Sequence, residues 1–343
     1  MRVDPDTNSA EVDQQALVAT VRALLRRGTS RPELDQAVCR ALPAPSAGTA
    51  VPPCYPGLVA AAQRVRPAKH GRDDAEPVAG FDTELAGVLE RAEASARRAD
   101  PPLAGQWRVD LPPAEPHLAG SVRRALAQLP AKAGSTARAE VTDWTDTQRA
   151  VAREAAKLIL RAWPAMYAEL AAVLRQVALL AGPSINGFTD FATHGVAYLN
   201  RDRLDNGTDG LPARYRLAEA LVHEATHNRC NVASLTMRFL VPDPAGARRF
   251  DTPLRADPRP MSGLFQQLVV IARGVRLYDL CLEKDPSNGD GHGAVRRRRD
   301  ELLEQGGRGL VVIDTQLDTL SESGLAVMAQ VRSLLRAGAP IRA

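Results

Sequence analysis

The sequence predicts a mainly α-helical fold, a multi-helix domain built around one helix that carries a His-Glu-x-x-His motif, with at most a small β-sheet. Apolar residues recur at helical spacing over most of the chain. Aromatic residues make up only 4% of the composition, so the core must be built mainly from Ala, Leu and Val. One short stretch, 195-GVAYLN-200, alternates and carries β-favouring residues, which indicates a strand.

The bulk composition is that of a cytoplasmic protein. The chain has 343 residues, a net charge of +4 and a pI of about 9.0. The N-terminus is polar and charged, without the apolar segment of a signal peptide. No stretch approaches the roughly 18 apolar residues of a membrane span, so we expect no membrane partner. Four cysteines without a CxxC pair are typical of reduced thiols. The oligomeric state stays open.

A local basic run, 296-RRRR-299, raises the question of nucleic-acid binding. The overall excess of positive charge is small, since 44 basic residues face 40 acidic ones. No aromatic residues interleave the run, and no nucleic-acid-binding motif surrounds it. We therefore expect a solvated helix face and no nucleic-acid partner.

The N-terminal part is predicted to consist of helices that end at a proline-rich connector. Residues 12–27 carry apolar residues at helical spacing and end in Arg-Arg-Gly. Further helices fit residues 31–42 and 82–98, with a loop at 43–56. The five prolines between 99 and 118 indicate a boundary. The predicted domains are an N-terminal helical region, 1–118, and an HExxH metal-binding domain, 119–343.

The C-terminal part is also predicted to be helical. Residues 143–181 show a long helical pattern that Pro164 interrupts. Residues 241–261 hold five prolines and several charges, and are expected to form a loop. The remaining predicted helices cover residues 212–237, 262–283, 294–305 and 312–337.

The stretch 221-LVHEATHNRC-230 contains the His-Glu-x-x-His motif, which predicts a metal site. On a helix, residues four apart face the same way, so His223 and His227 can direct their rings at one divalent cation. Leu221 and Val222 indicate that the helix is partly buried. The alternative is a pair of histidines that merely share a helix face.

Two histidines require a third ligand, and the sequence leaves its identity open. Cys230 lies about 10 Å further along the helix axis than His223, too far to reach the same ion. No glycine follows the motif to turn the chain back. The later helix offers Glu283 only at its far end. A zinc metallopeptidase, with Glu224 as the general base, therefore remains an alternative.

Residues from about 183 to 278 resemble the HExxH-motif peptide-modification family, found beside ribosomal-peptide biosynthesis genes. The resemblance rests on 188-FTDFATHGVAYLN-200, 217-LAEALVHEATHNRC-230 and 253-PLRADPRPMSGLFQQLVVIARGV-275. Some members act as iron- and 2-oxoglutarate-dependent peptide β-hydroxylases. The resemblance implies a dioxygenase that uses Fe(II) and 2-oxoglutarate to hydroxylate an unactivated carbon, expected to be Cβ, of a peptide or amino-acid substrate.

The resemblance also implies a ligand set. His223 and His227 would bind the metal, with a third ligand from the first turns of the following helix. Family members tend to carry a histidine there, whereas this chain has Gln266, the candidate third ligand. The other candidates for the third ligand are Gln267, Asp279 and His292.

A cation must hold the far carboxylate of 2-oxoglutarate, and arginine does this through a bidentate fork. Arg255 and Arg259 are the candidates, with Arg273 as a third. In a hydroxylase, Glu224 would orient a ligand or a water. His194, in the loop before the strand, could reach the site or be an ordinary loop residue.

Two other readings of the same motif remain. One is the zinc-dependent metallopeptidase, and the other is a non-catalytic family member that binds a peptide. The identity of the substrate and of the oxidised carbon is not readable from the residues.

Overall fold

The computed structural model confirms a mainly α-helical protein: the residues that it describes are 67% helical and include 11 α-helices and a small four-stranded sheet. It describes residues 1–44, 52–65, 79–98, 102–112, 115–129, 138–243, 249–252, 255–284 and 291–337, without the side chains of 251–252 and 255–257. Within these residues, no helix has the length and apolar content needed to cross a membrane.

Helices and strands alternate only in the central part of the chain. The helices are α1 (Thr7–Gly28), α2 (Pro32–Ala41), α3 (Pro56–Val65), α4 (Phe81–Arg97), α5 (Pro116–Ala127), α6 (Asp146–Ala162), α7 (Pro164–Val173), α8 (Ala213–Ala233), α9 (Met261–Lys284), α10 (His292–Asp314) and α11 (Glu322–Ala337). The strands are β1 (Glu140–Thr142), β2 (Gln176–Ala181), β3 (Gly187–Phe188), β4 (Val196–Asn200), β5 (Phe250–Thr252) and β6 (Arg255–Arg259).

The chain divides into two compact units, each made of segments distant in sequence. The HExxH unit comprises residues 1–7, 145–170 and 202–343. The sheet unit comprises residues 8–144 and 171–201. Residues 118 and 119, where the sequence analysis places a domain boundary, lie inside α5.

The sheet unit is organised by the strand order β1-β2-β4-β3. The central pair, β2 and β4, is parallel, and each edge strand pairs antiparallel with its neighbour. Both central strands are almost wholly buried. This burial agrees with the run of five apolar residues, VALLA, that follows Gln176 in β2, as expected for a strand covered on both faces.

Helix α5 covers one face of this sheet. Its Leu118 and Val122 pack into a cluster with Leu180 and Tyr198. The chain leaves β2 through Gly182, which has a φ of 104°. A Cβ at this position would lie 2.4 Å from the carbonyl oxygen of Arg138, so only glycine fits.

The HExxH unit is a helical assembly with α8 near its centre. Helix α8 packs against α6 and α9, and α9 in turn packs against α10 and α11. Helix α6 begins with a capping box in which Thr145 and Gln148 satisfy each other's backbone N–H groups. It ends at Trp163 because Pro164 follows, as the sequence predicts.

Four predictions for secondary structure are wrong. The predicted helix over 312–337 is divided between two helices, because α10 ends at Asp314 and α11 begins at Glu322. The helical pattern over 143–181 ends as strand β2, because the short apolar run QVALLA suits a buried strand as well as a helix. The expected loop at 241–261 contains the antiparallel pair β5–β6. Helix α10 runs unbroken through Gly306, where the sequence suggests a gap. A Cβ at Gly306 would lie 2.8 Å from Leu335 and 3.2 Å from Ile271, so this glycine permits close helix packing.

A fully buried guanidinium ties four segments of the HExxH unit together. Arg273 on α9 has five N–H donors, and all five have acceptors. Glu169 on α7 accepts at 2.6 and 3.3 Å, and Thr226 on α8 accepts at 3.3 Å. The carbonyl oxygens of Arg2 and Val3 accept the other two N–H groups. A second buried guanidinium, that of Arg229, lies 3.9 Å from Glu169.

We predict that Arg273→Met destabilises the protein by about 3–5 kcal/mol, because the substitution leaves the buried Glu169 carboxylate without its main partner. The urea midpoint at neutral pH measures the effect. The control is Arg276→Met on the same helix. Its side chain is 40% exposed and lies 4.0 Å from Glu283, so the loss should stay below about 0.5 kcal/mol. Equal losses in both variants would contradict the buried network.

Candidate metal site

The motif helix has one open stripe. Every residue of α8 from 217 to 233 is buried except His223, His227 and Asn231, which are partly exposed. These three residues are spaced four apart and therefore lie along one line of the helix surface. Gln266, on the neighbouring α9, is also partly exposed and contacts this line. The four side chains define the candidate site, and all belong to the HExxH unit.

The two histidine rings are spaced as a shared ion requires. Their centres lie 5.0 Å apart, and the ring planes make an angle of 61°. An ion about 2.1 Å from one nitrogen of each ring would lie about 3.2 Å from each ring centre, which places the centres about 5 Å apart at a tetrahedral angle. The spacing of the ring centres is therefore that of two imidazoles sharing one ion, and metal binding by His223 and His227 stays a prediction.

The side chain of Gln266 lies at the site, where its amide contacts a nitrogen of the His227 ring. Its Oε1 lies 2.8 Å from Nδ1 of His227. Its Nε2 donates to Oδ1 of Asn231 at 3.1 Å. The sequence predicts that Gln266 is close to the motif, and the structure brings it there. Asn231 was not anticipated, although it continues the 223–227 spacing by one more turn.

Glu224 points to the buried side of the motif. The residue is 5% exposed, and its Oε1 lies 4.0 Å from Nε2 of His223. Asn228, fully buried, donates from its side chain to the Glu224 carbonyl oxygen at 3.0 Å. This bond stays within the helix, so Asn228 supports the backbone between the two histidines.

One helical turn before the motif, Glu219 anchors α8 to two neighbouring helices. Tyr278 of α9 donates to its carboxylate at 2.6 Å. Arg298 of α10 donates to both oxygens, at 2.9 and 2.7 Å. Burial alone would raise the pKa of Glu219, but Arg298 and Tyr278 hold that pKa below its ordinary value of 4.5. The pKa of Tyr278 is in turn raised by burial and by the charge of Glu219.

The candidate arginines differ in their surroundings. Arg259 ends β6 and is partly buried, and its Cβ lies against Gly263 in the first turn of α9, three residues before Gln266. Arg255 belongs to β6, but its side chain lies outside the described residues. Arg273 is wrong as a carboxylate anchor, because all five of its N–H groups are engaged within the core.

The other side chains considered as ligands have different partners. Asp279 accepts from Arg299 at 2.8 Å, and His292 lies 3.3 Å from Arg296. Burial raises the pKa of the Cys230 thiol to about 12, so it is not a thiolate. His194 belongs to the sheet unit, is buried, and lies 3.0 Å from Gln14.

Among the residues that the structure describes, no third His, Cys, Asp or Glu joins His223 and His227 in a group that could hold a metal ion. Within those residues, no group of three or more His, Cys, Asp or Glu side chains could hold a metal ion.

The basic run at residues 296–299 makes contacts within the HExxH unit. In chain order its four arginines contact His292, the Asp209 carbonyl oxygen, Glu219 and Asp279. The expected solvated face is thus partly engaged in ion pairs.

No family model matches the chain, and no curated protein matches it significantly.

We predict that Glu219→Gln lowers stability by about 2 kcal/mol at neutral pH, because it removes the charge that Arg298 binds. The folded pKa of Glu219 lies below the unfolded value, so its contribution is present above pH 4.5 and disappears as the pH falls through the folded value. The difference in urea midpoint between wild type and variant should therefore shrink in acid.

The control for Glu219→Gln is Glu301→Gln. Glu301 also accepts from Arg298, at 3.0 Å, but its side chain is 54% exposed. Its removal should change the midpoint little at any pH. A Glu219→Gln difference that does not depend on pH would show that the carboxylate charge is unimportant.

Proposed function

We propose that the protein is an Fe(II)- and 2-oxoglutarate-dependent oxygenase that hydroxylates an unactivated carbon of a peptide or amino-acid substrate. The spacing of the His223 and His227 rings on the one open stripe of a buried helix carries the proposal. The choice of oxidative chemistry is supported by the resemblance of residues 183–278 to the HExxH-motif peptide-modification family.

Each residue of the site would have its own role in binding and catalysis. His223 and His227 hold the cation, and Arg259 is the candidate partner for the distal carboxylate of 2-oxoglutarate. Bound iron would supply the oxidation, in which O₂, 2-oxoglutarate and a C–H bond give an alcohol, succinate and CO₂. The buried Glu224 would orient a group beside His223.

We predict that His227→Ala abolishes binding of Fe(II), because one imidazole cannot hold the ion alone. Isothermal titration of the metal-free protein under anaerobic conditions measures this. The matched control is His292→Ala, since His292 is a histidine of the same unit at the start of α10. The control should bind one equivalent as the wild type does. Stoichiometric binding in His227→Ala would refute the site.

A zinc-dependent peptidase is the second candidate, because the carboxylate of Glu224 lies beside His223 as a general base would. In that case His223 and His227 would hold the zinc, which would supply activation of water, and Glu224 would accept the proton that the water loses. Arg259 would then have no part in the chemistry.

Activity separates the two functions. We predict that release of succinate requires both Fe(II) and 2-oxoglutarate, and that zinc supports no peptide cleavage. Glu224→Gln is the informative variant, because it keeps the shape of the side chain and removes the base. Metal binding should survive this change. Zinc-restored peptide cleavage that disappears in Glu224→Gln would establish the peptidase instead.

A further inference from the structure

The amide of Gln266 is fixed between two partners that differ in chemistry. Oδ1 of Asn231 can only accept, so the group of Gln266 that faces it at 3.1 Å is the NH₂ group. The carbonyl oxygen, Oε1, is thereby turned to Nδ1 of His227 at 2.8 Å. With the amides of Asn231 and Gln266 oriented in this way, Nδ1 of His227 is the donor.

A neutral imidazole carries one N–H, so this contact selects a tautomer. With the proton on Nδ1, the lone pair of His227 available to a cation lies on Nε2. An oxygen in line with Nδ1–H lies on the opposite side of the ring, about 5 Å from Nε2 by hydrogen-bond and ring geometry. Two ligands of one ion lie at most about 4.3 Å apart at bond lengths near 2.1 Å. Gln266 and Nε2 of His227 therefore cannot share an ion in this arrangement.

We propose that Gln266 is a positioning residue for His227 and not the third metal ligand. It holds the ring in the orientation and tautomer that present Nε2 to the open stripe, and Asn231 holds Gln266 in turn. This inference rests on the proposed function only in assigning a metal to Nε2. The tautomer itself is a property of the metal-free protein. The third position on the metal is then left to a group other than Gln266.

The test is the ¹⁵N spectrum of the His227 ring in metal-free protein at alkaline pH, where the ring is neutral. Wild type should show the proton on Nδ1. Gln266→Leu removes the acceptor and should shift the population toward the proton on Nε2. Gln266→Glu keeps an acceptor of the same length and should retain the wild-type tautomer. The matched control is Gln316→Leu, since this glutamine follows α10 and its amide donates to Thr315, so the change should leave the tautomer of His227 unchanged.

Metal affinity gives the second readout. Loss of the hydrogen bond should weaken binding of Fe(II) by about 10- to 100-fold in Gln266→Leu, while Gln266→Glu should bind at least as tightly as wild type. A tautomer that Gln266→Leu leaves unchanged would overturn the positioning role, whether or not the protein binds metal. A wild type that shows the expected tautomer but binds no metal would overturn the proposed function alone.

Discussion

The arrangement of the motif helix depends on a charge that the core must neutralise. The guanidinium of Arg273 is wholly buried, and it is tolerable there only because the Glu169 carboxylate, Thr226 and two backbone carbonyls take up every N–H group. Thr226 directly precedes His227, so the same network fixes the backbone at the second histidine. Glu219 performs the equivalent task one turn before His223. The two imidazoles thus project from a segment held at both ends.

The site follows from this constraint. A helix with neighbours on nearly all sides leaves a narrow line of access, and that line carries His223, His227 and Asn231. Gln266 closes the arrangement from α9 by bridging the last two of these side chains. The polar atoms next to the His227 ring are therefore supplied by two uncharged amides, whereas His223 lies beside the carboxylate of Glu224.

Local sequence patterns predicted much of the motif helix and its site, and the predictions that were wrong have physical causes. The motif helix, its two histidines and the approach of Gln266 follow from periodicity and from the resemblance. Strand β2 was missed because a six-residue apolar run carries no period of its own. Gly306 was misread as a helix break because its role, close contact with Leu335, depends on a partner 29 positions away. The engagement of Arg273 was equally hidden, since its acceptors come from three distant segments.

The open line of α8 between residues 217 and 233 affects which substitutions the helix can accept. Almost every other position along that helix faces packed neighbours, where a new side chain would create a void or a clash. Substitutions on the line meet water on one side and disturb no packed layer. Donor atoms exchanged at His223, His227 or Asn231 therefore disturb fewer packed contacts than substitutions at the buried positions of the same helix. The buried residues of α8 keep the helix in place, whereas the side chains at these three positions determine which donor atoms the helix presents to solvent.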